Sequence, residues 1–224
     1  MAPLSDMRVK KTYGNMWKFD EMTKSHRVST KLFTKGMKKD YICEVNLPPC
    51  KKILQDEEKH RMILSVVMIG KNVKDQVIKK DKELFVTLVN PEEKIEGQNE
   101  LNVDVLVNHL RVKGAEKIEV AKEMAEKGQF DQAQQELDEV LKELNDCICK
   151  DHPSLVVLKA DVEKSKIICK ASHYSNASKS YLTSVANNNM YQQSCPMSNV
   201  GNINNYYANN MQTAMNLNLK NSKN

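Results

Sequence analysis

The sequence predicts an α+β protein: a small antiparallel β-sandwich followed by a helical hairpin bundle and a disordered tail. Three observations predict it. Apolar residues alternate with a period of two before Gly97. They recur at helical spacing from Asn99 onward, and asparagine dominates beyond Ser194. On this reading residues 1–11 are a flexible N-terminus, 12–97 the β-sandwich, 98–193 the helical bundle and 194–224 a disordered, Asn-rich tail.

The strands follow in order. Met16–Phe19 and His26–Phe33 are the first two. Asp40–Leu47 alternates cleanly, with Tyr41, Cys43, Val45 and Leu47 on one face, and Pro48-Pro49 stops it by removing two backbone donors. Met62–Ile69 is a nearly continuous apolar run closed by Gly70; its length and β-branched content predict a buried strand. Glu83–Val89 is stopped by Asn90-Pro91. Five short strands with few aromatics make a thin core, so this half leans on something else for stability.

The helices come next. Val103, Leu106, Leu110, Ile118, Ala121 and Ala125 form one stripe between Asn99 and Lys127. Gly114 interrupts it at a cost of about 1 kcal/mol relative to Ala. Gly128 suits the left-handed residue that ends the helix. A second helix starts at Phe130 and buries Ala133, Leu137, Val140, Leu141, Leu144 and Ile148. Pro153 opens a third, which carries Leu155, Leu158, Val162 and Cys169. Tyr174–Gln193 gives a fourth, with a partial stripe of Tyr181, Leu182 and Val185. Gly128-Gln-Phe130-Asp-Gln-Ala133 turns the chain as a tetratricopeptide hairpin does: Gly turns, Phe fills the elbow and Ala admits the neighbouring helix. No 34-residue period follows, so a single hairpin is expected. The Asn-rich tract cannot bury enough surface to offset the entropy of ordering it.

Aromatics are 5% of the chain, so its cores must be aliphatic, with the 12 methionines as adaptable fillers. No apolar run approaches the ~20 residues that span a bilayer. Met1–Lys11 lacks the apolar centre of a signal peptide, so a cytoplasmic protein with reduced cysteines is expected and Asn176-Ala-Ser178 stays unmodified. Residues 1–52 carry twelve Lys/Arg against five Asp/Glu, a local charge of +7 within a net +5. These cations are read as a solvated basic face, not as a nucleic-acid groove. The expected partners are proteins, not nucleic acid and not a membrane.

Cysteines stand at 43, 50, 147, 149, 169 and 195, with no Cys-x-x-Cys pair. Cys147-x-Cys149 lies near Asp151 and His152, but two helical positions two apart point about 200° apart, so the thiols should diverge. Intein-like autoprocessing needs a Cys nucleophile opening the domain and a closing His-Asn pair, whereas Asn108-His109 has the wrong order within a helix. His26, His60, His109, His152 and His173 are scattered without a companion nucleophile, and His109 reads as structural. No Gly-rich phosphate loop occurs. The expectation is a protein that is not an enzyme, with no catalytic residue, no cofactor and no metal ligand.

Three stretches in order carry a resemblance: Leu32–Asp40 leading to Asn46-Leu-Pro48, Val103–Leu144 with its Ala121–Ala133 centre, and Ser178–Ser184 followed by Gln192-Gln193. Together, over roughly residues 12–193, they resemble the region C-terminal to the von Willebrand factor A domain in a family of plants, amoebae and ciliates. Plant members carry a RING finger and are regarded as ubiquitin ligases; some protist members carry a Hedgehog/intein-like domain. The family's metal-binding Asp-x-Ser-x-Ser motif and RING cysteines do not occur here, so neither chemistry carries over. The resemblance implies a non-catalytic protein-protein interaction or scaffolding module that meets an A domain in cis or in trans. The alternatives are a partner-binding accessory segment of a ubiquitin ligase and a remnant of an autoprocessing protein.

Overall fold

The computed structural model describes residues 8–30, 38–47, 55, 59–72, 74–89, 92 and 100–192. The predicted tail over 194–224, the end of the strand predicted to Phe33, Pro48-Pro49, Cys50, Asn90-Pro91, Gly97 and Cys195 lie outside the described residues. The chain is mixed α+β, with six strands and four helices among the described residues. The strands are β1 (Arg8–Thr12), β2 (Trp17–Asp20), β3 (Ser25–Val28), β4 (Cys43–Asn46), β5 (His60–Lys71) and β6 (Val77–Thr87). The helices are α1 (Val103–Glu126), α2 (Phe130–Asp146), α3 (Pro153–Ile168) and α4 (Asn176–Tyr191). β1 occupies residues where the sequence suggested a flexible N-terminus.

The described strands pair two by two, as β1–β4, β2–β3 and β5–β6. β2 and β3 are antiparallel, with Trp17 opposite Val28 and Asp20 opposite Ser25. β5 and β6 are antiparallel from His60↔Thr87 to Lys71↔Val77, with a bulge between Met62 and Leu64. The chain divides into two compact units. One draws on Met1–Lys11 and Cys43–Glu100, the other on Thr12–Ile42 and Leu101–Asn224. The short β2–β3 hairpin therefore belongs with the helices.

In the second unit α1 packs against α2, α3 and α4. One core joins Val107, Leu110, Ile118, Ala121 and Ala125 of α1 to Ala133, Leu137, Val140 and Leu144 of α2, Leu155, Leu158 and Val162 of α3, and Leu182, Val185 and Ala186 of α4. Local chemistry sets the ends of α1, α3 and α4. The Asn102 side chain accepts from the Val105 amide and opens α1. Gly128, at φ +77, closes it. The Gly128 amide donates to Ala125 O and the Gln129 amide to Met124 O, the paired bonds of a Schellman motif. Pro153 begins α3, with His152 Nδ1 accepting from the Ser154 amide. Ser175 and Ser178 form a reciprocal capping box at α4. Gly114 does more than interrupt a helix: a Cβ there would lie 3.0 Å from both Cδ atoms of Leu158, so its bare backbone lets α1 and α3 approach.

Three sequence expectations change. Ile148, placed on the buried stripe of the second helix, lies beyond the end of α2 and is 76% exposed. Val103 is at the first turn of α1 and is also exposed. The apolar run Met62–Ile69 does form a strand, but one exposed over Val66–Ile69: among the described residues it pairs only with β6, and Ile63 and Leu64 alone are half-buried.

Candidate functional site

β5 and β6 form a long ribbon with opposite characters on its two strands. β5 carries Met62, Ile63, Leu64, Val66, Val67, Met68 and Ile69, residues that favour extended backbone through branching or bulk. The centre of β6 is charged. Glu83 pairs with Ser65, Lys82 with Val66, Asp81 with Val67, Lys80 with Met68 and Lys79 with Ile69. Successive side chains in a strand alternate faces, so Val66 and Met68 stand on one face, Val67 and Ile69 on the other. All four are exposed, at 52, 55, 51 and 69% respectively. A two-stranded ribbon alone is marginal in water, and contiguous exposed apolar surface marks an interaction site. The edges also differ. The charges of β6 guard its outer edge against further pairing, whereas β5 carries no charge between Met62 and Gly70.

The helical unit holds a second concentration of polar groups. Arg111 is 1% exposed and sits on the α1 stripe. Its guanidinium donates to the backbone oxygen of Asn189, to Met190 O at 3.4 Å and to Asn108 Oδ1 at 3.2 Å. Lys39 Nζ donates to Tyr191 O, and to Gln192 O at 3.2 Å. Two cations thus satisfy carbonyls that the last turn of α4 leaves without helical partners, at the negative end of its dipole. Gln192 then fastens the 38–42 segment: its Oε1 accepts from the Asp40 amide at 2.6 Å and its Nε2 donates to Asp40 Oδ2 at 2.7 Å. Burial, and then the Arg111 guanidinium, pull the Lys39 ammonium below its ordinary pKa.

The network continues through Asn189, which is fully buried. Its Nδ2 donates to Asp161 Oδ2 at 2.7 Å and to Val185 O at 3.1 Å. Burial pushes the Asp161 carboxyl up to about 6, against the opposing effects of the Asn189 hydrogen bond and the Lys164 charge. Lys164 Nζ lies 4.4 Å from the Tyr181 ring centroid, a cation–π distance. Burial, and then the Asp161 charge, raise the Tyr181 hydroxyl. These groups are absorbed in holding α4 to α1 and α3. The adjoining cleft, between Tyr13, Trp17, Lys39, Tyr41 and Met190, encloses about 30 Å³. That is roughly one water's share of liquid, far from the ~300 Å³ at which small-molecule pockets begin.

The histidine and cysteine positions resolve as follows. The Tyr13 hydroxyl and His109 Nε2 are 2.8 Å apart, their rings edge to face at 5.0 Å, while Asn108 bonds Asp104 O and Arg111. His109 therefore helps tie the Tyr13 segment to α1. Cys147 and Cys149 do not diverge. α2 ends at Asp146, Cys147 is extended at φ −69° and ψ 138°, and the two Sγ atoms are 2.9 Å apart. The helical rule failed because the pair lies in the turn after the helix. Among the described residues no group of three or more His, Cys, Asp or Glu side chains converges as a metal site would need, and no helix is long and apolar enough to cross a membrane. No protein-family model, no curated protein and no solved structure matches this chain.

Proposed function

We propose that this chain is a non-catalytic protein-protein interaction and scaffolding module, of the kind that follows a von Willebrand factor A domain, and that it docks a protein strand along β5. The observation that carries this reading is the exposed run Val66–Ile69 on a strand that, among the described residues, pairs on one side only, with the charged β6. Strand addition to such an edge supplies backbone hydrogen bonds, and apolar side chains on alternate faces supply specificity. In this reading the partner's strands complete a β-sandwich around the β5–β6 ribbon, while the hairpin of α1 and α2 anchors the helical unit. An A domain, in cis or in trans, is the partner to test first.

The test is hydrogen exchange of the β5 amides in the full chain, alone over a concentration series and with purified A domain from a protein carrying this segment. Added A domain should slow exchange across Leu64–Gly70, and Val67→Lys should abolish the slowing while leaving α1–α4 protection unchanged. If the β5 amides exchange equally fast with and without A domain, the reading fails. Protection that grows with the chain's own concentration would instead identify a second copy as the occupant and remove the A domain from the proposal.

A further inference from the structure

The turn between α2 and α3 brings two thiols together at the rim of the helical core, against which both are packed. The Cys147 Sγ and Cys149 Sγ are 2.9 Å apart, against ~2.05 Å in a formed disulfide. The turn that holds them is fixed at both ends. The Lys150 amide donates to Cys147 O at 3.2 Å, and the His152 amide to Cys149 O at 2.9 Å. α2 and α3, which it joins, pack on each other. Both sulfurs belong to half-buried residues, so a small reagent can reach them, whereas Cys169 is wholly buried in the core. Between them Ile148 points out, 76% exposed, and takes no part in the packing.

We propose that Cys147 and Cys149 form a vicinal dithiol site that is oxidised by small disulfides, glutathione disulfide being the accessible example, to an intramolecular disulfide. The two sulfurs are not equivalent. The Cys149 amide donates to Cys147 Sγ at 3.4 Å, which stabilises negative charge on Cys147. Burial, and then the adjacent Cys147 sulfur, push the Cys149 thiol up to about 11. Cys147 is thus the attacking thiol and Cys149 the resolving one. In the first step the Cys147 thiolate attacks one sulfur of the small disulfide. Its S–S bond breaks and one glutathione leaves as thiolate, taking up the proton lost from Cys147. In the second, Cys149 loses its proton and attacks Cys147 Sγ, expelling the second glutathione, which takes up that proton. The protein's two thiols are oxidised by two electrons and one disulfide is reduced to two thiols.

The experiment equilibrates the full chain in reduced and oxidised glutathione, quenches in acid, alkylates free thiols and cuts with trypsin. Cleavage after Lys142 and Lys150 isolates both cysteines in one peptide, Glu143–Lys150, which holds no other cysteine. This peptide should lose two hydrogens and escape alkylation as the buffer becomes oxidising, and regain both thiols when it is made reducing. Cys149→Ser, which cannot resolve, should accumulate a mixed disulfide at Cys147, and faster than Cys147→Ser accumulates one at Cys149. A wild-type peptide that stays fully alkylated, or carries glutathione without closing, overturns the dithiol site. Equal rates in the two serine variants overturn the assignment of Cys147 as attacker. The wild-type mass does not depend on either variant folding.

Discussion

Replacing Asp161 by Asn should stabilise the protein at neutral pH and leave it unchanged in acid. The carboxyl lies where α3 meets α4. From α4, Asn189 donates to it at 2.7 Å and Tyr181 stands near; from its own helix, Lys164 supplies the facing cation. Arg111 of α1 donates to the Asn189 backbone carbonyl on the same turn of α4. Burial outweighs both favourable contacts and raises the pKa from 3.8 to about 6. A shift of that size, at 1.36 kcal/mol per unit, corresponds to roughly 3 kcal/mol.

The sign follows from proton linkage. A carboxyl with a raised folded-state pKa holds its proton more tightly folded than unfolded. Its contribution to stability is fully present below about pH 4 and is lost as pH rises through about 6. Other carboxylates titrate over the same range, so the informative quantity is the difference between variant and wild type. An Asn at 161 keeps the shape, can still accept from Asn189 and does not ionise. Urea melts at half-unit intervals from pH 3 to pH 8 should give coincident midpoints at pH 3. They should diverge through pH 6 and reach a plateau with the variant more stable by about 2–3 kcal/mol. A variant that is less stable at pH 7, or a difference that does not change with pH, would refute the reasoning. It would mean that Asp161 is well solvated or that its contact with Lys164 dominates.

Two further substitutions test the supports of the helical unit. Arg111→Met keeps the apolar stem but leaves the Asn189 carbonyl without its donor, so urea melts should show a loss of about 1–3 kcal/mol; the Lys39 ammonium, relieved of its cationic neighbour, should titrate higher by NMR. Phe130 begins α2 half-buried on the rim of the core, its ring 5.9 Å from that of Tyr174. Phe130→Ala should therefore cost about 2 kcal/mol, roughly half of a fully buried Phe, whereas Gln129→Ala in the same turn should shift stability by about 0.5 kcal/mol or less.

The helical half was legible because its core is periodic. Leu110, Ile118, Ala121 and Ala125 on α1, Ala133, Leu137, Val140 and Leu144 on α2, and Leu155, Leu158 and Val162 on α3 are the buried positions that a 3.6-residue stripe predicts. The same stripe holds two residues that apolar periodicity does not explain. Val107, Arg111, Gly114 and Ile118 follow at steps of four, three and four, so a charged residue and a glycine occupy core positions. The glycine meets Leu158, and the arginine reaches the end of α4, a partner no local window contains. Phe130 was expected between the first two helices, and its ring also meets Tyr174, which lies before α4. β6 is predicted only over Glu83–Val89, because Lys79–Glu83 has no apolar alternation. It starts at Val77, since a ribbon is lengthened by the β5 backbone that pairs with it, whatever its side chains are.

β5 is where the sequence and the structure differ most instructively. A run such as Met62–Ile69 predicts a strand covered on both faces, as in the interior of a sheet. Among the described residues the structure pairs it with β6 alone and leaves Val66–Ile69 exposed on both faces. Full burial of an aliphatic side chain contributes about 1.5–3 kcal/mol, so covering Val66, Val67, Met68 and Ile69, each about half exposed already, would contribute roughly 3–6 kcal/mol. Each new backbone hydrogen bond along the free edge adds about 0.5–1.5 kcal/mol. Against this stands an association cost of about 4–15 kcal/mol for two free molecules. The surplus is small, which makes β5 a weak site for a freely diffusing partner. For a tethered one the balance changes, because effective concentrations near the millimolar range remove much of that cost. The proposed A domain should therefore protect β5 more strongly when fused to this chain than when added to it.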